Sequence, residues 1–155
     1  MAKVIILMMI VATLNAACYQ QRTQTTNSVP KQGIVGYVLQ ISGNRMPTKG
    51  VRPVLPKGIQ ATVCVFQKTN TDQIERLGSA PLYSAIHTQQ IATVQTDSMG
   101  KFTVLLPVGT YSVFIKKPNG YYANRFDENN NINLVMVDKK KLTEVTIMDM
   151  EGATF

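Results

Sequence analysis

The stretch Ile91–Lys117, IATVQTDSMGKFTVLLPVGTYSVFIKK, constrains the fold of this chain more than any other. It holds three strand-like runs and two turns. The run 91–96 is rich in β-branched residues and ends in Asp97-Ser98-Met99-Gly100, a tight-turn composition. Phe102, Val104 and Leu106 then alternate with Lys101, Thr103 and Leu105, the period of a strand with one face in a core. Pro107-Val108-Gly109 breaks that strand, since proline lacks a donor and glycine tolerates positive φ. Tyr111, Val113 and Ile115 resume the alternation against Ser112, Phe114 and Lys116. A β-meander is the only regular structure that satisfies all of this, and it predicts burial of Phe102, Val104, Tyr111 and Val113.

Within that stretch Thr96, Asp97, Gly100, Phe102, Val104, Leu106, Pro107, Gly109, Tyr111 and Val113 form the pattern T-D-x-x-G-x-F-x-V-x-L-P-x-G-x-Y-x-V. This resembles the motif of the carboxypeptidase regulatory-like domain, a prealbumin-type (transthyretin-like) β-sandwich. Ile34-Val35-Gly36-Tyr37-Val38, and Ala61, Val63 and Val65, are similar to the opening strands of such domains. The resemblance covers roughly residues 33–150. It implies the fold, and it implies no activity, because one fold hosts many functions.

The N-terminus carries a different instruction. Lys3 is followed by an apolar run from Val4 to Leu14 and by Ala16-Ala17 before Cys18. This predicts a secretory signal peptide over 1–17. As a helix the apolar run would span only ~16 Å, against a hydrocarbon core of ~30 Å, so a permanent span is not expected. Two alanines and a cysteine after an apolar run resemble a bacterial lipobox, with Asn15 where leucine is usual. That resemblance implies acylation of Cys18, the alternative being ordinary cleavage after Ala17. The polar, aperiodic segment 18–32 reads as a flexible tether. It lacks an acidic run after the cysteine, which favours the periplasmic face.

The rest of the chain adds strands. Ile34–Ile41 places Val35, Tyr37, Leu39 and Ile41 on one face, and a Pro/Gly-rich basic loop follows to Gly58. Residues 59–68 form a second strand with Ala61, Val63 and Val65 toward the core, leaving Cys64 opposite with Thr62 and Phe66 as a lone packed thiol. Asp72-Gln73-Ile74-Glu75 suits a single helical turn stopped by Gly78, and 82–96 suits one long strand or two short ones. The segment 117–131, KPNGYYANRFDENNN, reads as a polar loop. Ile132–Val137 and Leu142–Met148 close the count, with residues 151–155 as a tail. The expected fold is all-β, a sandwich of about seven strands, with no long helix.

Composition limits the chemistry. The single histidine, His87, and two cysteines cannot furnish a multi-His or multi-Cys metal site, and no serine occupies a strained elbow. Hydroxyisourate hydrolases, which share the prealbumin architecture, need several histidines and a C-terminal Tyr-Arg-Gly-Ser; this chain ends Glu151-Gly152-Ala153-Thr154-Phe155. The oxygen-rich turns at Asp97 and Asp127 lack the spacing of a calcium loop, and Asp97 reads as a turn aspartate bonded to its own backbone. The chain carries a formal +7, and removing Lys3 with the signal peptide leaves fifteen basic against nine acidic residues, or +6. Such a balance suits anionic headgroups, although the Lys139–Lys141 run reads as a solvated turn. No nucleic-acid motif is present.

The expectation is therefore a non-enzymatic cell-envelope lipoprotein without cofactor. It would be held on a membrane through Cys18, facing the periplasm or on the outer membrane, with the sandwich as a binding or scaffolding module. Tyr121, Tyr122, Asn124, Arg125 and Phe126 are the candidate partner-binding residues: rings supply area and polar groups fix orientation. The partner would be an envelope protein or, in a second reading, a glycan stacked on these aromatics. Equally, Tyr122 and Phe126 could cap the open end of the sandwich.

Overall fold

The structure, a computed structural model, describes residues 31–46, 49–50, 55–78 and 81–154. The signal peptide expected over 1–17 and the tether up to residue 30 lie outside the described residues. In chain order the strands are β1 (Gly33–Gln40), β2 (Gly43–Asn44), β3 (Lys57–Gly58), β4 (Thr62–Gln67) and β5 (Ile74–Arg76). Then follow β6 (Leu82–Ile86), β7 (Gln90–Gln95), β8 (Lys101–Leu105) and β9 (Gly109–Lys117). β10 (Gly120–Tyr122), β11 (Leu134–Val137), β12 (Leu142–Asp149) and β13 (Ala153–Thr154) complete the set. Eight of these have four residues or more and carry the architecture, close to the seven expected.

The protein is an all-β sandwich. In one sheet β1 is central: β12 runs parallel to it on one side, while β8 and then β3 pair antiparallel along the other. The second sheet runs β5-β6-β10-β9-β4-β7, with β11 also paired to β9. Between the sheets lie Ile34, Val38, Phe102 and Ile147 from the first, and Val63, Val65, Tyr111, Val113, Ile115, Val135 and Val137 from the second. Of the residues expected to be buried, Phe102, Tyr111, Val113 and Val63 are buried, and Val104 and Ala61 are half-buried against the same core.

The meander is built as its residues require. Asp97 Oδ1 accepts from the N–H of Met99 at 2.8 Å and of Lys101 at 2.9 Å, so the carboxylate is spent on its own turn. Gly100 has φ +79°, and a Cβ there would come within 2.3 Å of the Val38 carbonyl oxygen. Thr96 ties this turn to the chain entering β4: its Oγ1 accepts from Ala61 N–H at 2.7 Å and donates to Ile59 O at 2.8 Å. The Thr-Asp-x-x-Gly pattern is thus a turn-closing device.

Three expectations are corrected. In β1 the inward residues are Ile34, Gly36 and Val38, whereas Tyr37, expected on the apolar face, is 42% exposed. Gly36 misleads because it looks like a gap in an apolar face. In fact a Cβ there would sit 2.1 Å from the Val145 carbonyl oxygen, so the close approach of β12 demands glycine. The helical turn at 72–75 shrinks to a 3-10 turn over Thr71–Gln73, capped by Asn70, and Ile74 opens β5. There it pairs with Ile86 and packs against the second apolar cluster, and tertiary burial overrides local propensity. The expected loop 117–131 begins as β10, antiparallel to β9 and β6. In addition, 82–96 resolves into two strands, and the expected tail supplies β13, which pairs with β2.

The outer face of β9 is also covered. Cys64, Phe66, Tyr83, Phe114, Ala123 and Ile132 form a second buried cluster. Ser112 Oγ, on that face, accepts from Thr69 N–H at 3.0 Å. β9 is therefore apolar on both sides, although alternation alone assigns it one core face.

Candidate functional site

The five residues singled out by sequence do not form one surface. Tyr122 is buried, and its Oη accepts from the Met150 N–H at 2.9 Å. Tyr121 is half-buried, edge-on to Phe66 at 5.4 Å and Phe114 at 6.4 Å, with Lys116 Nζ 4.0 Å from its ring centre. Asn124 Nδ2 donates to Met150 Sδ at 3.1 Å. Arg125 and Phe126 are exposed and border a separate small cleft of about 100 Å³ with Asp127, Asn133 and Leu134. The Arg76 guanidinium lies 5.9 Å from the Phe126 ring. Cys18 lies outside the described residues.

Two of the five, Tyr122 and Asn124, instead line a larger cleft of about 460 Å³ with Pro81, Leu82, Met150, Glu151 and Gly152. Its position follows from the ends of strands: β6 starts here, β10 ends here, and the chain leaves β12 here. Pro81, Leu82 and Met150 supply apolar wall, while Asn124 and Glu151 supply polar groups. This is the usual make-up of a binding cleft.

Beside it stands an ion triad that the sequence reading did not single out. Lys117 Nζ lies 2.7 Å from Asp149 Oδ2 and 2.8 Å from Glu151 Oε2, and the Asp149 side chain is 0% exposed. Asp149 Oδ1 also accepts from the Glu151 N–H at 3.2 Å. The signal was there in β12. Val145 and Ile147 alternate inward, and two places further the pattern puts an aspartate where an apolar residue belongs. A buried carboxylate needs a cation, and Lys117, at the end of β9, provides it.

Burial alone would lower the Lys117 pKa, but hydrogen bonds to Asp149 and Glu151, and their charges, outweigh it and hold it above the ordinary lysine value. A pKa raised in the folded state means a stabilising contribution complete below the unfolded value and lost as pH rises through the folded one. Stability is thus expected to fall above the ordinary lysine value of 10.5. Burial also pushes up the hydroxyls of Tyr83 and Tyr122, which adds a loss of the same sign. Urea denaturation on both sides of that pH should show a steeper loss in wild type than in Lys117→Met. Equal losses would remove Lys117 as a contributor.

No catalytic pairing emerges among these groups. His87 Nε2 meets Glu75 Oε1 at 3.2 Å on an exposed edge, apart from the cleft-lining residues. Cys64 is a packed, buried thiol, and burial pushes its pKa up against smaller lowering effects of a Thr93 hydrogen bond and the Lys116 charge. Asp127 Oδ1 accepts from Asn129 and Asn131 N–H at 2.9 and 2.8 Å, and Oδ2 from Asn131 Nδ2 at 2.7 Å. These bonds, the Asn131 side chain first, hold its pKa low, and they build an ordered turn within the segment that the sequence suggested was a polar loop.

Fold and cleft together define a β-sandwich with an apolar-walled cleft at one end and, beside it, an ion triad built on the buried Asp149. No family model, curated protein or solved structure matches this chain.

Proposed function

We propose that this is a non-enzymatic, lipid-anchored cell-envelope protein whose prealbumin-like sandwich, of carboxypeptidase regulatory-like type, binds a partner at the Tyr122–Met150 cleft. The observation that carries the reading is the polarity of the sandwich. The described chain enters at Lys31–Gly33, beside Leu142 at the start of β12, and the cleft lies past the other end of that strand. Eight residues of strand put these poles ~25 Å apart. A protein held through Cys18 would be tethered from one pole, with the cleft at the opposite one. In the cleft Tyr122 and Glu151 are already engaged in internal bonds, which favours binding over turnover. A glycan platform on the 117–131 aromatics has less support, because Tyr122 is only 1% exposed and Tyr121 is wedged between Phe66 and Phe114.

The two halves of the proposal separate experimentally. Radiolabelled palmitate should enter the wild type in cells and not Cys18→Ala; equal labelling of both, or of neither, overturns the anchor. A photo-crosslinking side chain at Asn124 should capture one defined envelope component, while one at Ile91 on the β7 edge should not. Equal capture at the two positions, or none, overturns the cleft.

A further inference from the structure

The pole where the described chain begins carries its own arrangement. Gln32 stitches two loops to it: its backbone carbonyl accepts from Leu106 N–H at 3.2 Å, and its Nε2 donates to Leu106 O at 3.2 Å. Its Oε1 accepts from Lys140 N–H at 3.3 Å, and Gly33 N–H donates to Lys141 O at 3.1 Å. The loop between β8 and β9 and the turn between β11 and β12 therefore flank the point of entry. On the turn Lys139, Lys140 and Lys141 are all exposed, and so is Lys31. The acidic group in the turn is Asp138, 3.9 Å from Lys141. Lys140 holds φ 60°, as a tight turn requires. Next to it, Leu105 is 62% and Val108 58% exposed. Four lysines around two bare aliphatic side chains is an unusual composition for a solvated pole.

We infer that this pole, Lys31 and Lys139–Lys141 around Leu105 and Val108, docks on an anionic phospholipid surface. The lysines meet the headgroup phosphates, and the two aliphatic side chains enter the headgroup–acyl boundary. The placement of the chain argues for this occupant. Cys18 lies close in sequence to Lys31, and the intervening chain reaches at most about 45 Å even fully extended. An acyl group on Cys18 would tether the domain to the bilayer from this pole, the one opposite the cleft. The inference rests on the anchored reading for that proximity alone; the charge and the exposed aliphatics stand without it.

The test uses the chain from Cys18 onward, which holds every described residue, without acyl groups and with Cys18→Ser to prevent dimers. It should sediment with vesicles of phosphatidylglycerol in phosphatidylcholine at low salt, and much less with phosphatidylcholine alone. High salt should release it, since exposed charges are screened within ~10 Å at 0.1 M. Each lysine near an anionic surface is worth about fivefold in partitioning, so Lys139→Gln/Lys140→Asn/Lys141→Gln should lose on the order of a hundredfold. Asparagine at 140 keeps a residue that tolerates positive φ. Should that variant melt early, Lys31→Gln/Lys139→Gln leaves residue 140 alone and should lose on the order of twentyfold. Leu105→Ser/Val108→Ser should bind more weakly while keeping the salt dependence. Equal binding to both vesicle types, no binding, or undiminished binding by folded lysine variants would overturn the inference. Because the palmitate experiment reads Cys18 in cells and this one needs no acyl chain, failure of one leaves the other standing.

Discussion

Lys117→Met should destabilise the domain by about 3–5 kcal/mol, the usual cost of leaving one member of a buried ion pair alone. The methionine keeps the length and apolar stem of the lysine, so packing against the Tyr122 ring changes little. What is lost is the cation 2.7 Å from a carboxylate with no solvent exposure, and also its bond to Glu151. The intact pair contributes less than this cost suggests, because desolvating both charges offsets much of their attraction. A double variant separates the two quantities. Lys117→Met/Asp149→Leu removes both charges and should recover a large part of the loss, short of full recovery because the Glu151 N–H loses its acceptor. Urea denaturation at neutral pH measures all three proteins. A single-variant cost below about 1 kcal/mol would mean that Asp149 reaches water, contrary to its full burial. A double variant no better than the single would mean that the site is held by shape and not by charge. The same variants bear on the cleft: Glu151 lines it, so freeing that carboxylate should change crosslinking from Asn124 if the cleft binds a partner.

The parts of this fold legible in the sequence are those where one local rule acts alone. The turn at Asp97–Gly100, the strand containing Phe102 and the strand containing Val113 follow from side-chain alternation and turn chemistry, and the structure places them so. Alternation failed where a second constraint intervened. In β1 both faces are apolar enough to be core, and only the approach of Val145 to Gly36 decides between them. Burial of Asn131 and Asn133 was invisible, because each is satisfied by a partner distant in sequence or by a turn that composition alone makes look disordered, whereas Asp149 continues the inward alternation of Val145 and Ile147. The candidate site divides the same way. Tyr122 and Asn124 were found through their aromatic and amide chemistry, but Pro81, Leu82 and Met150 join them only through the pairing of β10 with β6 and the exit from β12. Strands of two or three residues such as β2, β10 and β13 are too short to show an alternation, so they leave almost no local trace.

Phe114→Ala should cost about as much as Phe102→Ala, each on the order of 3–5 kcal/mol. Phe102 is the ordinary case, a ring on the apolar face of an alternating strand, 3% exposed between the sheets. Phe114 tests something the sequence did not reveal, because alternation puts it on the face of β9 away from the main core. There it is 0% exposed, with edge-to-face contacts to Phe66 at 5.5 Å and Tyr83 at 6.0 Å. Such pairs add roughly 0.5–1.5 kcal/mol beyond burial. Truncation would also remove the support of Tyr121, which rests edge-on against Phe114 and carries Lys116 over its ring. Two measurements read the outcome. Urea denaturation gives the cost, against a total stability of about 5–15 kcal/mol typical of such a domain. Near-ultraviolet dichroism reports tyrosine packing directly, because the chain has no tryptophan to mask it. Phe114→Ala should dim that signal by loosening Tyr83 and Tyr121, whereas Phe114→Leu should keep more of both signal and stability. A cost below about 1 kcal/mol with an unchanged tyrosine signal would mean that the outer face of β9 is open, leaving β5 and Ile132 without the cluster that seats them.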